Sequence, residues 1–272
     1  MVLDFIISPS QAKRDPWSLA IASAIFVSFG VLVEMYMPIK GSIIIFTMVP
    51  AIPLIWTLLL KESKEEEDDI EGWTFGRGKP RADLFTRHLD LWEVFAFFFL
   101  GAAVAYTFWF ALLPQTQAGL IFDDQLKEVN LIRGAALTGK VAGFLDEGQF
   151  WFLFTHNLQV LGLMFAFSVI YGIGSIYLLL WNASIIGVVI GQKVHSIGLL
   201  GAVLGFFSLL PHGIFELSAY FVASIGGGLL SIELMRKRVK PGIAKHIFFD
   251  IALLAIVSLV LLAIGAAIEA AY

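Results

Sequence analysis

Several stretches of about 20 consecutive apolar residues constrain this chain more than any other feature, because that length crosses the hydrocarbon core of a bilayer. They fall at residues 17–37, 41–60, 92–113, 150–171, 175–191, 211–235 and 246–272. In hydrocarbon every backbone polar group must be satisfied within the segment, so continuous apolar runs read as helices. The runs do not alternate apolar and polar residues, which excludes a porin-like barrel. The predicted fold class is all-α: a polytopic helical membrane protein of about seven transmembrane helices.

Composition supports this. Of the 272 residues 58% are hydrophobic and only 15% charged, well below the charged share of a soluble domain. The net charge of −4 comes largely from one acidic run and gives no reason to expect a nucleic-acid partner. Cysteine is absent, which removes disulfides, thiol catalysis and thiolate metal sites. The first apolar run follows Lys13 and Arg14 and is too long for a cleaved signal sequence, so it reads as a retained signal anchor.

Between the runs, residues 38–41 form a tight turn and Glu34 is expected to snorkel outward. Pro50 and Pro53 are expected to kink the second span. Residues 61–91 form a charged connector whose acidic run reads as a solvated helix extension or disorder. Arg77, Lys79, Arg81 and Arg87 place it on the cytoplasmic side. The connector divides the chain into a two-helix membrane extension, 1–60, and a larger membrane domain, 92–272. Residues 115–149 are too polar to cross, but Phe122, Leu126, Val129, Ile132, Ala136, Val141 and Phe144 recur at helical spacing. An amphipathic helix lying in the interface or capping the bundle fits. Its carboxylates Asp123, Asp124, Asp146 and Glu147 read as solvated faces.

Residues 197–210 are apolar but only about 14 long, which suits a re-entrant half-helix better than a span. Charge agrees with that reading. With the N terminus and the connector in the cytoplasm, a full crossing at 197–210 would put the basic turn 236–240 outside, against the positive-inside tendency. The expected topology is therefore seven crossings plus one re-entrant segment, in the plasma membrane with a cytoplasmic N terminus.

Helices in lipid associate by close backbone approach at small residues spaced by four. Three tracks carry this pattern: Ala183, Gly187 and Gly191; Gly201 and Gly205; and Ala219, Ala223 and Gly227. They are expected to pack a tight core.

Five polar residues interrupt the apolar stretch 150–228: His156, Asn157, Asn182, His212 and Glu216. Polar groups at membrane depth are costly and face a bundle interior or a wet cavity. His212 and Glu216 share a helix face, which continues through Ala219 and Ala223, so both are directed into the bundle. Pro211 suits a first helical position, with Gly213 close behind. His156 or Asn157, together with Asn182, His212 and Glu216, is expected to cluster in the outer half of the bundle. The alternatives stay open: an interfacial cap at His156 and Asn157, an interhelical clamp at Asn182, a buried structural pair at His212 and Glu216, or a shared site. Two histidines and a glutamate have suitable metal-ligand chemistry, but without a metalloprotease-type motif neither a metal nor another cofactor is expected. No serine elbow or phosphate loop occurs, so no catalytic residue is assigned.

The motifs F-x3-F-x-x-N at 150–157, L-W-N at 180–182, the glycines up to Gly191, and L-P-H-G-x-x-E at 210–216 resemble the stage II sporulation protein M family of bacterial and archaeal membrane proteins, here an archaeal-type member. The resemblance spans residues 92–272. It implies a non-enzymatic scaffold or a component of a membrane complex, with membrane or envelope proteins as partners and room for a homo-oligomer. The motif positions it marks are Asn157, Asn182, Pro211, His212, Gly213 and Glu216. The alternative is a transporter or channel that passes a small polar solute or ion through the His/Glu/Asn cluster. An intramembrane hydrolase ranks third.

Overall fold

Backbone that cannot bond to water must bond to itself, and the computed structural model, which describes residues 14–37, 41–74, 84–137, 147–235 and 241–271, is helical nearly throughout. Among the described residues there are nine helices and no strand. They are α1 Trp17–Tyr36, α2 Ser42–Thr74, α3 Leu84–Leu112, α4 Gln115–Ile121, α5 Asp123–Leu137, α6 Glu147–Tyr171, α7 Ser175–Ile197, α8 Leu199–Met235 and α9 Pro241–Ala271. Seven of these are long and apolar enough to cross a membrane: α1, α2, α3, α6, α7, α8 and α9. The protein is a multi-pass membrane protein. The expectations for residues 1–13, 38–40, 75–83, 138–146 and 236–240, including Val141, Phe144, Asp146 and the basic turn, lie outside the described residues.

The helices form two packed groups. α3 lies along α1 and α7, with α2 against α1, while α8 lies along α6 and α9; α7 also packs on α8 and joins the groups. Aromatic edges tie α8 to α3, where Phe221 meets Trp92, Phe95 and Phe99. Tyr106 of α3 is fully buried and donates to the Ile43 carbonyl of α2 at 3.1 Å. The Trp109 indole donates to Ser28 of α1 at 2.9 Å.

Residues 197–210 do not form a separate half-helix. They belong to the single 37-residue helix α8, with Pro211 inside it. At 1.5 Å per residue α8 is about 55 Å long, far more than the roughly 30 Å of a hydrocarbon core. Pro211 has no N–H and leaves one helical carbonyl without its donor, a loss that membrane helices tolerate. His212 and Glu216 face α9 and α6 from within the continuous helix. The chain reverses just before α8 at Gly198, whose φ of +69° strongly favours glycine. α8 then returns against α7: a Cβ on Gly201 would collide with the Lys193 carbonyl, and Lys193 donates to Ser208 at 2.7 Å. The polar stretch 192–196 is thus the end of α7, where His195 pairs with the Phe110 carbonyl at 2.9 Å.

Three other expectations change. Glu34 does not snorkel: it is 9% exposed and accepts hydrogen bonds from the Ser42 N–H at 3.1 Å and from the Ser42 hydroxyl, satisfying an orphan donor at the start of α2. The acidic run continues α2 as helix to Thr74, but not as a wholly solvated one. Glu62 is buried against His88 at 3.2 Å, and Ser63 donates to Glu233 of α8 at 2.9 Å. The amphipathic stretch is two helices, broken at Phe122, whose side chain is fully buried with Val129 nearby in sequence and also in the core.

The small-residue tracks lie as follows. Ala183, Ala219 and Ala223 are buried. A Cβ on Gly187 would sit 2.5 Å from Tyr106 Cβ of α3, and one on Gly191 would sit 2.6 Å from the Phe110 ring. Gly205 faces Ile190 of α7, and Gly227 faces Ser168 and Phe165 of α6. Gly162, by contrast, has nothing within 4 Å of its would-be Cβ. Gly187→Leu is therefore expected to destabilise the protein by about 1–3 kcal/mol or more, seen as a lower Tm in detergent, while Gly162→Leu leaves Tm unchanged. Equal Tm values would mean that α7 does not meet α3 on this face.

Candidate intramembrane polar site

Register decides which polar groups meet. Along α6 and α8 the contacts advance together: Asn157 meets Glu216, and Phe165 and Ser168 meet Gly227. These helices run parallel. Along α8 and α9 they run oppositely: Gly226 meets Leu254, and Glu216 meets Gly265. A polar residue late in α9 therefore returns to the level of His212.

That residue is Glu269. Ligand atoms of His212, Glu216 and Glu269 all lie within 4.8 Å of one another. Gly265 explains the approach, since a Cβ there would come within 2.6 Å of Glu216 Cγ and 3.3 Å of the His212 carbonyl. Only the missing side chain lets α9 press on α8 here, and Glu269 follows one turn later on the same face. Asn157 completes the group, its amide donating to Glu216 Oε1 at 2.7 Å. Tyr220, one turn beyond Glu216 and 3% exposed, faces both carboxylates. His212, Glu216 and Glu269 are each half-buried.

The other two residues go elsewhere. Asn182 donates to the Leu178 carbonyl of its own helix at 2.8 Å. His156 stacks on Phe152 with ring centroids 6.3 Å apart. Among the described residues no hydrogen bond joins either to Glu216. Pro211 is exposed, and Gly213 has nothing within 4 Å of its would-be Cβ.

The electrostatics are demanding. Two ionised carboxylates within 4.8 Å of each other repel by roughly 3 kcal/mol or more at an effective dielectric constant of about 20. Among the described residues neither has a Lys or Arg ion pair. Such a pair is stable when a proton or a cation is shared between them.

The stage II sporulation protein M family matches residues 94–272, two thirds of the chain. The chain belongs to that family. An uncharacterized protein of Methanocaldococcus jannaschii is 32% identical over 137 residues, covering 47% of this chain and 74% of that protein. No solved structure matches. Asn157, His212, Glu216, Gly265 and Glu269 all lie in the part that matches the family, while α1 and α2 precede it.

Sequence reasoning missed Glu269 and Gly265. Glu269 lies in the last turns of the final apolar run, where one carboxylate does not interrupt the hydropathy. The available signal was the spacing Gly265-x3-Glu269, which puts a gap and a carboxylate on one face. Coupling across the site is measurable: in a double-mutant cycle, Asn157→Ala and Glu216→Ala are expected to be non-additive in unfolding free energy by about 0.5–3 kcal/mol. Asn182→Ala with Glu216→Ala is expected to be additive. Additivity in both cycles would mean that Asn157 does not hold Glu216.

Proposed function

We propose that this family member transports a small cationic or polar solute, with His212, Glu216, Glu269 and Asn157 as its membrane-depth binding site. The supporting observation is the state of the cluster. A structural pair would be closed and satisfied, whereas here three ionisable groups from two helices stand together half-buried, joined by no hydrogen bond among themselves. Ionisable groups open to hydrocarbon are unfavourable, so the opening belongs to water or a ligand. The site draws on three helices and sits beside Pro211, where α8 stays helical but lacks one backbone hydrogen bond. In this reading the cluster opens away from the cytoplasm, the protein resides in the plasma membrane, and the N terminus is cytoplasmic. No catalysis is involved.

A second reading, a non-enzymatic scaffold in a membrane complex, draws on a different feature. α3 and α8 flank a groove of about 760 Å³ whose lining includes Leu100, Val104, Phe108, Phe206, Leu210 and Ile214. The groove is almost wholly apolar, and the transmembrane helix of a partner or of a second copy would fit such a surface.

Proteoliposome flux separates the two. With wild-type protein, at least one of H⁺, Na⁺, Mn²⁺ and Zn²⁺ is expected to cross above the protein-free rate, and Glu216→Gln is expected to return that flux to background. Flux at background for all four with folded protein would favour the scaffold.

A further inference from the structure

We infer that His212, Glu216 and Glu269 form a binding site for one divalent first-row transition-metal ion, with Zn²⁺ as its closest chemical fit. This deepens the transport reading, since it rests on the cluster being an open site and names the class of ion it takes. Three features carry it.

The first is spacing. Ligands about 2.1 Å from a tetrahedral Zn²⁺ lie about 3.4 Å apart. The three ligand atoms lie within 4.8 Å of one another, so a small inward movement of each side chain closes the shell. Gly265 gives the Glu216 side chain room beside α9 that any larger residue would fill.

The second is ligand type. One imidazole nitrogen and two carboxylates suit Zn²⁺, whereas Ca²⁺ takes six to eight oxygens and Mg²⁺ an octahedral shell with several waters. Three protein ligands leave a fourth position for water or a counter-ligand. Asn157 donates to Oε1 of Glu216, which orients the carboxylate and leaves its other oxygen free to bind, the usual task of an outer-shell partner.

The third is charge. With the imidazole neutral, two carboxylates and one divalent cation sum to zero. A single proton or a monovalent cation would leave a net negative charge within the bundle. Among the described residues no Lys or Arg forms an ion pair with either carboxylate. The neutral complex is the form that membrane depth favours.

The test uses the full chain in detergent, stripped with chelator, titrated with Zn²⁺ by calorimetry and with Co²⁺ by its visible ligand-field bands. Wild type is expected to bind one Zn²⁺ per chain, with no displacement by excess Mg²⁺. His212→Ala and Glu269→Gln are each expected to weaken binding about tenfold or more and to change the Co²⁺ spectrum, and Asn157→Ala to weaken it about tenfold. Asn182→Ala is expected to leave affinity and spectrum unchanged. Circular dichroism and elution volume select folded variants, and His212→Ala and Glu269→Gln lie on different helices, so either alone decides. No Zn²⁺ binding by wild type overturns the inference, as does wild-type affinity retained by either folded variant, which would place the ion elsewhere. Zn²⁺ binding at this site without flux of any ion would sustain the metal site and overturn transport. Flux abolished by Glu216→Gln in a protein that binds no Zn²⁺ would do the reverse.

Discussion

A helix can carry a glutamate through hydrocarbon only if its neighbours make room for the carboxylate and supply it with a partner. At Glu216 the room comes from Gly265 of α9 and the partner is Asn157 of α6. Both contacts depend on α8 being packed along parallel α6 and antiparallel α9 in one register. The same register carries Glu269 back to the level of His212. A slip of one turn between α8 and α9 would take Gly265 away from Glu216 and Glu269 away from His212, so room for these groups exists in one register.

The length of α8 follows from the same economy. The apolar residues before Pro211 are too few to cross alone and too many to leave in water. Joined to the rest of α8, they reverse at Gly198 and lie back on α7, with Gly201 and Gly205 allowing the close approach. The short segment Pro211, His212 and Gly213 interrupts hydropathy without ending the helix. Large apolar side chains on the outer side of this segment, among them Leu200, Phe206 and Phe207, are exposed and available to lipid or to a partner helix.

What was legible in the sequence was what repeats along one helix. The apolar runs gave the helices, and the i, i+4 relation put His212 and Glu216 on one face. The illegible part concerned relations between helices. Asn182 and Asn157 look alike in sequence, each a lone amide in an apolar span. One bonds back to its own helix at Leu178 and the other crosses to Glu216, a difference set by helix rotation. Glu34 and Glu269 both lie near the ends of spans, where snorkelling costs little, yet both turn inward, Glu34 to accept from Ser42 and Glu269 to stand beside His212 and Glu216. Hydropathy alone could not distinguish a proline within a continuous helix from a helix boundary at Pro211.

The α8–α9 register is the most direct point of test, because the whole site depends on it and because this cysteine-free chain allows single pairs to be introduced without background. A Cβ on Gly226 would lie 3.5 Å from that of Leu254, within the range a disulfide spans. Gly226→Cys with Leu254→Cys is expected to cross-link under mild oxidation in membranes, detected by intramolecular thiol loss. Pairing Gly226→Cys with Ser258→Cys or Asp250→Cys, one turn away on either side, is expected to give little cross-link. Preferential cross-linking of either displaced pair would shift Glu269 away from His212 and contradict the site.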